Sequence, residues 1–372
     1  MDTTRLNRLQ QAMSRAGLDA VFITNPKNVN YYSGFHTSMP GEVQSVGDPE
    51  GFVVAYKGEV HLLCDGRYIA GAQELKGVSP HRIDSPTTPK VVSDGIRAII
   101  GDGRKTIGFE PDAMLYSDAL GMLECLSDMQ MKPAGDLLSE IRTIKSTAEV
   151  DLIREAQKIT GACFDHVVKQ IRVGVSERDI AFEIDTYLRR HSEGSSFSPI
   201  VAFGETSSRP HYGPDASRKL EKDQLVLLDF GAVHQGYCGD MTRMVVMGKA
   251  TQRHKEVYEL VLQAQLRCLN GIKPGMASQE VDALCRDYFR EKGCVEAFMH
   301  GTGHGVGLAI HENPRIKPTF QQRIAPGMVF TVEPGLYYPG WGGVRIEDMV
   351  AITESGYENL TTTPKSLLEL SA

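Results

Sequence analysis

Residues 225–243 constrain the fold more than any other segment, because they place two aspartates beside apolar strands. In the sequence LVLLDFGAVHQGYCGDMTR an apolar run leads into Asp229, and the run after the next turn carries Asp240. A turn centred between His234 and Gln235 predicts an antiparallel hairpin in which the two aspartates lie directly opposite each other, with Cβ atoms about 4.5–5.5 Å apart. Two carboxylates this close repel each other unless a cation lies between them. The alternative is a shifted register that buries one aspartate and exposes the other.

Three later segments carry groups of the same kind. The stretch HGTGHGVGLAIH, residues 300–311, holds three histidines among glycines. Glu333 follows the apolar strand of VFTVEPG, and Glu347 lies in GVRIEDMVAI, where it shares a strand face with Arg345. A buried carboxylate must be paired, because burying a lone charge costs a large free energy. Taken singly, each glutamate fits a strand-end ion pair better than a metal ligand.

Taken together, four carboxylates and at least one histidine are expected to converge from apolar strands. Sites that combine oxygen ligands with an imidazole suit manganese, cobalt, iron or zinc. Five protein ligands are too many for one tetrahedral zinc ion. They are the number expected for two metal ions that share bridging carboxylates about 3.5–4 Å apart.

The chain of 372 residues suits two domains of ordinary size. In residues 1–132 short strands alternate with helical stretches, which predicts an α/β domain. The segment 133–147 has the character of a linker. Residues 148–372 combine runs of helices with runs of strands, which predicts an α+β domain.

The composition excludes several classes of partner. A net charge of -7 argues against nucleic acid, because a protein that binds phosphates needs a basic face. Arginines interrupt the N-terminal segment, so we predict no signal peptide, and no apolar run is long enough to span a membrane. The seven cysteines are scattered without a CxxC pair, which is typical of reduced thiols. We therefore predict a cytoplasmic protein with neither nucleic acid nor membrane as a partner.

Five motifs resemble those of the pita-bread metallopeptidases, the family that includes methionine aminopeptidase, aminopeptidase P and prolidase. The motifs LLDFG, GDMTR, HGTGHGVG, TVEPG and VRIED place the family's metal ligands at Asp229, Asp240, His304, Glu333 and Glu347. Three features resemble the proline-specific branch of this family: His311, the VRIED form of the last motif and the N-terminal segment NPKNVNYYSGF. The resemblance covers the whole chain. It implies an α+β pita-bread catalytic domain, preceded by a smaller α/β creatinase-like domain.

The resemblance also implies a role for each ligand. Asp229 and Asp240 would hold one metal ion, and His304 and Glu333 would hold the other. Asp240 and Glu347 would bridge the two ions. The expected ion is Mn²⁺, with Co²⁺ or Zn²⁺ as alternatives. Glu333 is also the expected proton shuttle, because it lies beside the bridging position.

Further residues are expected to line the substrate site: His211, His311, His300, Arg209, Arg218 and Arg345. His211 and His311 would donate hydrogen bonds to the substrate carbonyl. His300 fits either a substrate contact or support of a metal ligand. A dipeptidase must also bind the free carboxylate of its substrate, usually with arginine. Arg209 and Arg218 suit this role better than Arg345 if the latter only supports Glu347.

The activity that the resemblance implies is metal-dependent hydrolysis of the Xaa-Pro bond in dipeptides. The alternatives are an Xaa-Pro aminopeptidase that acts on longer peptides and a metal-dependent lyase on the same fold. The expected partners are short proline-containing peptides and a second copy of the chain. In such a homodimer, His36 and Arg67 are expected to contribute to the neighbour's cleft.

Overall fold

The computed structural model describes residues 3–36 and 49–371. They form two compact units that divide between Arg142 and Thr143. This division lies inside the segment 133–147, which we expected to be a linker, and Gly135–Thr143 of that segment form a helix. Within the described ranges, no helix is both long enough and apolar enough to cross a membrane.

The N-terminal unit is built on a six-stranded mixed sheet with the order β4-β3-β2-β1-β5-β6. Its strands are β1 (Ala20–Ile23), β2 (Gly51–Tyr56), β3 (Glu59–Cys64), β4 (Ser79–Arg82), β5 (Thr106–Phe109) and β6 (Gln130–Pro133). Its helices are α1 (Thr3–Ala16), α2 (Pro26–Ser33), α3 (Ile69–Ala72), α4 (Pro89–Ile100), α5 (Tyr116–Cys125) and α6 (Gly135–Thr143), with a 3-10 turn at Pro111–Ala113. The core joins α4, through Val92 and Ile96, to Phe22 and Val54 of the sheet. Helices packed on a mixed sheet confirm the predicted α/β character.

The C-terminal unit contains four long helices and two larger sheets. The helices are α7 (Thr147–Val167), α8 (Glu177–His191), α9 (Gln252–Gly271) and α10 (Ser278–Glu291), with 3-10 turns at Gly204–Ser208 and Val295–Ala297. The first strands are β7 (Ile200–Phe203), β8 (Gln224–Phe230), β9 (Val233–His234), β10 (Tyr237–Cys238) and β11 (Met241–Met247). The later strands are β12 (Gly303–Gly305), β13 (Glu312–Ile316), β14 (Val329–Val332), β15 (Gly335–Tyr338), β16 (Gly342–Arg345), β17 (Asp348–Ile352), β18 (Tyr357–Asn359) and β19 (Leu368–Leu370).

The strands of this unit form sheets with the orders β19-β11-β8-β7 and β13-β12-β14-β17-β18, beside the hairpins β9-β10 and β15-β16. Along β8, Val226 and Leu228 pack with side chains of α7 and α8, whereas Leu225 and Leu227 pack with those of α9, α10 and the second sheet. Because successive side chains of a strand point to opposite faces, Asp229 continues the row of Leu225 and Leu227. The aspartate therefore lies on the face that the second sheet shares.

Two of the long helices begin differently. The Ser176 hydroxyl accepts from the Asp179 backbone N–H, and the Asp179 carboxylate accepts from the Ser176 N–H, so a capping box begins α8. At α10, Ala277 precedes the helix and Ser278 is its first residue. The Ser278 hydroxyl instead donates to the Phe320 carbonyl at 2.7 Å.

The hairpin that carries the two aspartates has a different register from the predicted one. Asp229 pairs with Thr242 rather than with Asp240. The turn is centred between Gln235 and Gly236, whose φ angles are 47° and 79°. Positive φ at both central residues is the mark of a two-residue type I′ turn. Asp240 lies two residues before Thr242, in the gap between β10 and β11, and so remains on the face of Asp229.

Candidate metal centre

Asp229, in β8, has one paired and one unpaired carboxylate oxygen. Its Oδ2 accepts a hydrogen bond from Nη2 of Arg345 at 2.5 Å. Its Oδ1 is buried and has no hydrogen-bond partner in the described part of the chain. Leaving a buried acceptor of this kind without a partner costs free energy. The Oδ1 atom therefore suits a metal ion.

Asp240 leaves the strand ladder, and a glutamine of α7 holds its backbone instead. The side-chain Nε2 of Gln157 donates to the Asp240 carbonyl at 2.8 Å, and the Asp240 N–H donates to Gln157 Oε1 at 2.9 Å. Burial, followed by the charges of Glu347 and Asp229, raises the pKa of the Asp240 carboxyl well above its ordinary value. The crowding of like charges predicted from the sequence is therefore present, although the register that produces it is different.

His304, in β12, is held in one tautomer by the backbone. Its Nδ1 lies 3.2 Å from the Gly305 carbonyl oxygen and must carry the proton, because a carbonyl can only accept. Its Nε2 lies 3.6 Å from Asp240 Oδ2 and 3.3 Å from Glu333 Oε1. Burial, followed by the charge of His311, lowers the pKa of His304 to about 3. The imidazole is therefore neutral, with a lone pair that faces the carboxylates.

Glu333 directly follows β14 and Glu347 directly precedes β17, and a threonine hydroxyl holds each of them. Thr331 Oγ1 donates to Glu333 Oε1 at 3.0 Å, and Thr242 Oγ1 donates to Glu347 Oε2 at 2.7 Å. Burial raises the pKa of Glu333 to about 7, against the lowering effect of the Arg345 guanidinium. Burial and the charge of Glu333 raise the pKa of Glu347 as well.

These side chains fit divalent metal ions. Ligand atoms of Asp240, His304 and Glu347 all lie within 4.8 Å of one another. Glu333 Oε1 lies 3.3 Å from His304 Nε2, and the charge of Asp229 acts on Asp240. Four carboxylates carry four negative charges at most, which is the charge that two divalent cations would balance. Carboxylate oxygens with one neutral imidazole are the donors that manganese, cobalt, iron and zinc bind.

A series of hydrogen bonds that runs through Tyr337 and His300 holds Arg345 in place. Its Nη1 donates to the Tyr337 hydroxyl at 2.7 Å, and that hydroxyl lies 2.9 Å from Nε2 of His300. The Nδ1 of His300 lies 2.7 Å from the Gly301 carbonyl oxygen and donates to it, so Nε2 accepts from Tyr337. Burial and the charge of Arg345 lower the pKa of His300 to about 4. Of the two roles expected for His300, this geometry favours support of the predicted ligand Asp229.

The two histidines expected at the substrate lie farther out. His211 and His311 both have exposed side chains. The His311 ring meets the His304 ring edge to face, with 4.3 Å between the ring centroids. Partial desolvation, followed by the charges of Arg315 and His211, lowers the pKa of His311. The structure thus places His311 directly beside a predicted metal ligand and His211 within electrostatic reach of it.

The arginines differ in burial and in how many of their guanidinium nitrogens donate hydrogen bonds. Arg345 is buried, and its Nε, Nη1 and Nη2 all donate to protein oxygens. Arg209 and Arg218 are exposed. Arg315, which was not among the predicted residues, pairs with His304 across β12 and β13 and is half-buried. Its guanidinium has no hydrogen-bond or ion-pair partner within the described ranges, and its charge acts on His304.

Sequence reasoning missed five residues that contact the predicted ligands or their supports, and one charged neighbour of His304. The five are Thr242, Thr331, Tyr337, Gln157 and Gln265, and the neighbour is Arg315. The two threonines did carry a signal, since each lies two residues from an acidic ligand and so shares its face. The two glutamines carried none, because a polar residue in a helix predicts an exposed position. Arg315 becomes a neighbour of His304 only through the pairing of β12 with β13.

Comparison with known proteins agrees with this geometry. Residues 151–354 match the metallopeptidase family M24, and residues 5–144 match the creatinase/prolidase N-terminal domain. The chain therefore belongs to metallopeptidase family M24. This confirms the predicted enzyme class and the α+β pita-bread fold with its creatinase-like N-terminal domain.

Several relatives resemble the chain over nearly its whole length. It is 34% identical to the Xaa-Pro dipeptidase of Pyrococcus furiosus over 98% of this chain and 99% of the relative. The solved structure of an Xaa-Pro dipeptidase from Bacillus anthracis matches with a TM-score of 0.89 and 36% identity, covering 99% of both chains. The structure of the X-Pro aminopeptidase from Thermotoga maritima matches with a TM-score of 0.85 and 30% identity, covering 97% of this chain and 100% of that one.

The two residues expected to act in trans lie in the N-terminal unit. The His36 Nδ1 is 3.2 Å from the Gly34 carbonyl oxygen, and Arg67 forms an ion pair with Asp65 at 2.7 Å. Their contribution to a neighbouring subunit stays a prediction, as does the homodimer itself.

Proposed function

We propose that the protein is a proline-specific metallopeptidase that hydrolyses the Xaa-Pro bond of dipeptides in the cytoplasm, as a homodimer. The observation that carries the dipeptide specificity is the half-buried guanidinium of Arg315, which has no polar partner in the described part of the chain and faces His304 and His311. The relatives named Xaa-Pro dipeptidase support the preference for proline. An Xaa-Pro aminopeptidase is the second candidate, favoured by the similarity to the Thermotoga maritima structure.

In this proposal, two divalent metal ions, most suitably Mn²⁺ with Co²⁺ or Zn²⁺ as alternatives, are held by five side chains. These are Asp229, Asp240, His304, Glu333 and Glu347. When bound, the ions supply Lewis-acid activation of a water molecule and of the scissile carbonyl. The convergence of the ligand atoms and the unpaired, buried Oδ1 of Asp229 support this assignment.

Glu333 is the proposed proton carrier. The nitrogen of an Xaa-Pro bond has no hydrogen before cleavage, so it must receive a proton as the bond breaks. The hydrogen bond from Thr331 fixes one oxygen of Glu333, and the same oxygen lies 3.3 Å from His304 Nε2. Its carboxylate is thereby held at the border of the proposed metal centre, where it can take a proton from water and deliver it to the leaving amine.

The outer histidines and the buried arginine have different proposed roles. His211 and His311 donate hydrogen bonds to the carbonyl oxygen of the substrate, where negative charge develops during attack. Arg345 does not contact the substrate, because its donors are occupied by Thr242, Tyr337 and Asp229. We therefore assign Arg345 to the positioning of Asp229 and assign the substrate carboxylate to another arginine.

Arg315 is the proposed carboxylate-binding residue. A guanidinium can form two parallel hydrogen bonds with a carboxylate, and partial burial strengthens their electrostatic attraction. The C-terminal carboxylate of a dipeptide is one residue from the scissile bond. In a longer peptide the same position holds an amide, which cannot form this ion pair. A free, half-buried guanidinium therefore favours dipeptides.

The test is a parallel assay of Ala-Pro, Met-Pro and an Xaa-Pro-Xaa tripeptide with added Mn²⁺. Hydrolysis of the dipeptides in preference to the tripeptide is the expected result, and chelation should abolish it until Mn²⁺ is restored. Faster cleavage of the tripeptide would support the aminopeptidase instead. A metal-loaded protein that cleaves none of the three peptides would contradict both, and would favour a lyase.

A further inference from the structure

Two of the long helices each carry a buried glutamine that faces a segment bearing predicted metal ligands. Gln157 lies in α7 with 3% of its surface exposed, and Gln265 lies in α9 with 0% exposed. Gln265 is surrounded by apolar neighbours of α9 such as Val261 and Cys268. Burying a side-chain amide in such surroundings costs free energy that an apolar residue would not. Hydrogen bonds to the backbone are therefore needed to offset the cost of burying these two amides.

Gln265 ties together the two strand ends that lead into the glutamates. Its Nε2 donates to the carbonyl of Val332 and to the carbonyl of Ile346, both at 3.1 Å. Val332 directly precedes Glu333, and Ile346 directly precedes Glu347. One amide nitrogen thus joins the two ligand segments between the β14–β17 pairing, which ends at Val332 and Asp348, and the β15–β16 pairing, which begins at Gly335 and Arg345.

Gln157 makes the corresponding contact with the other sheet. It binds both the N–H and the carbonyl of Asp240, and its Nε2 also donates to the Thr361 hydroxyl at 2.7 Å. That hydroxyl accepts from the Met349 N–H of β17 at 2.9 Å. The backbone of Asp240 is thereby connected, through one glutamine and one threonine, to the strand that follows Glu347.

These contacts add to strand pairing where it is interrupted. Asp240 lies between β10 and β11, Glu333 lies between β14 and β15, and Glu347 lies between β16 and β17. Main-chain bonds remain at the two glutamates, because the Glu333 N–H donates to the Thr302 carbonyl at 2.8 Å and the Glu347 N–H donates to the Thr242 carbonyl at 3.2 Å. Strand ladders do not include these three residues, and the glutamines supply further bonds at the same places. Such bonds limit how far the carboxylates can move apart to relieve the repulsion between them.

We propose that Gln157 and Gln265 are positioning residues of the metal centre. They hold the backbones of Asp240, Glu333 and Glu347 so that the carboxylates stay close together before a metal ion binds. The inference rests on the proposed metal centre but not on the identity of the substrate. It assigns no contact with metal or substrate to either glutamine.

The test replaces each glutamine by methionine, which keeps the length of the side chain and removes the amide. Full-length Gln157→Met and Gln265→Met proteins would be titrated with MnCl₂ by calorimetry, and their thermal midpoints would be measured without metal. Because residues that orient metal ligands typically contribute about 10–100-fold to affinity, we expect Mn²⁺ binding to weaken by about that factor. The midpoints of the metal-free proteins should stay near the wild-type value, since an apolar residue fits the apolar surroundings.

Matched controls lie one helical turn earlier on the same helices. Ile153→Val and Val261→Ala alter residues that are 0% exposed, and they should lower the thermal midpoint while leaving the Mn²⁺ dissociation constant unchanged. Wild-type affinity in both methionine variants would overturn the proposal. So would a loss of affinity that the controls share, or a methionine variant that fails to fold, because the amide would then serve stability. Wild-type protein that binds Mn²⁺ but cleaves no Xaa-Pro peptide would contradict only the proposed function.

Discussion

The two faces at the junction of β11 and β17 both bury acidic side chains, but they balance the charge differently. On one face, Thr242 donates to Glu347, which lies among other carboxylates. On the opposite face, the residues that directly follow Thr242 and Glu347, which are Arg243 and Asp348, form an ion pair at 2.8 Å. Adjacent positions in the chain therefore separate a proposed metal site from an internal salt bridge.

The face that carries Arg243 and Asp348, called the salt-bridge face, needs no additional cation. Asp348 is fully buried, and its carboxylate accepts from Arg243, from Asn359 at 2.8 Å and from Lys365 at 2.6 Å. The opposite face, which carries Thr242 and Glu347, is called the metal face. There, by contrast, Asp229 has one oxygen without any donor in the described ranges. Burial of a carboxylate is common to both faces. The supply of donors, and not burial, distinguishes the metal site.

The largest effect is expected on the metal face. Asp240→Asn removes one charge from the centre and should reduce Xaa-Pro hydrolysis by at least about 10³-fold, which corresponds to about 4 kcal/mol of lost transition-state stabilisation. The metal-free variant should be as stable as the wild type or more stable, because repulsion between carboxylates decreases. Steady-state assays and metal-free thermal unfolding measure the two effects. The exposed Asp165→Asn is the control and should retain wild-type activity. If Asp240→Asn is as active as this control, the proposed metal centre is contradicted.

The opposite result is expected on the salt-bridge face. Asp348→Asn leaves the buried guanidinium of Arg243 without its carboxylate, so the free energy of unfolding should fall by about 3–5 kcal/mol. The exposed pair of Arg154 and Glu358, at 2.9 Å, is the matched control, and Glu358→Gln should change stability by no more than about 1 kcal/mol. Chemical denaturation measures both. Equal effects of the two substitutions would erase the distinction between the buried and exposed pairs.

A smaller effect, on specificity, is expected at Arg315. Arg315→Gln removes the proposed ion pair with the substrate carboxylate and should raise KM for Ala-Pro by about 10–100-fold, in line with a charged hydrogen bond worth about 1.5–3 kcal/mol. Activity on the tripeptide should change little, and kcat should be nearly retained. The exposed Arg190→Gln is the control and should leave both substrates unaffected. A loss that is equal for dipeptide and tripeptide would remove Arg315 as the carboxylate-binding residue.

The smallest effect concerns a paired polar contact in the N-terminal unit. His61 Nδ1 and His81 Nε2 lie 3.0 Å apart, and burial lowers the pKa of both side chains, with Glu59 opposing this for His61. The unfolded chain therefore binds more protons below the ordinary histidine pKa of about 6.5. The stability contributed by the pair is present above that pH and is lost as the pH falls through it.

The measurement is the thermal midpoint between pH 7.5 and 5.5. His81→Gln should reduce the acid-induced fall in thermal midpoint by a few degrees, because one of the two histidines that take up a proton on unfolding is removed. His191→Gln, at an exposed position, should retain the wild-type pH profile. If the His81 variant also retains that profile, the pair does not contribute to the pH dependence.

The sequence predicted the convergence of acidic residues better than the register that brings them together. The apolar run of β8 correctly indicated that Asp229 lies beside buried strand residues. The turn was placed one residue too early, because Gln235 gives no sign that it adopts a positive φ angle. The two aspartates nevertheless share a face, since a shift of two residues in the pairing preserves the alternation.

The residues that hold the ligands were largely hidden from sequence reasoning. A buried glutamine such as Gln265 has the same local pattern as an exposed one, and its partners Val332 and Ile346 are distant in the chain. The series of hydrogen bonds from His300 through Tyr337 to Arg345 likewise depends on tertiary packing. Motifs identify the groups that carry charge, whereas the contacts that fix them depend on how sheets and helices pack.

The distribution of the proposed ligands over two sheets affects how a newly made polypeptide acquires its metal. During synthesis, Asp229 and Asp240 leave the ribosome well before Glu333 and Glu347. The donor atoms of Asp240 and Glu347 come together only when β11 and the start of β17 have met. Because a high-affinity site is absent from the unfolded chain, metal capture is expected after translation of the last ligand, as a late step of maturation. Uptake of the ion would then mark a polypeptide whose catalytic unit is already assembled.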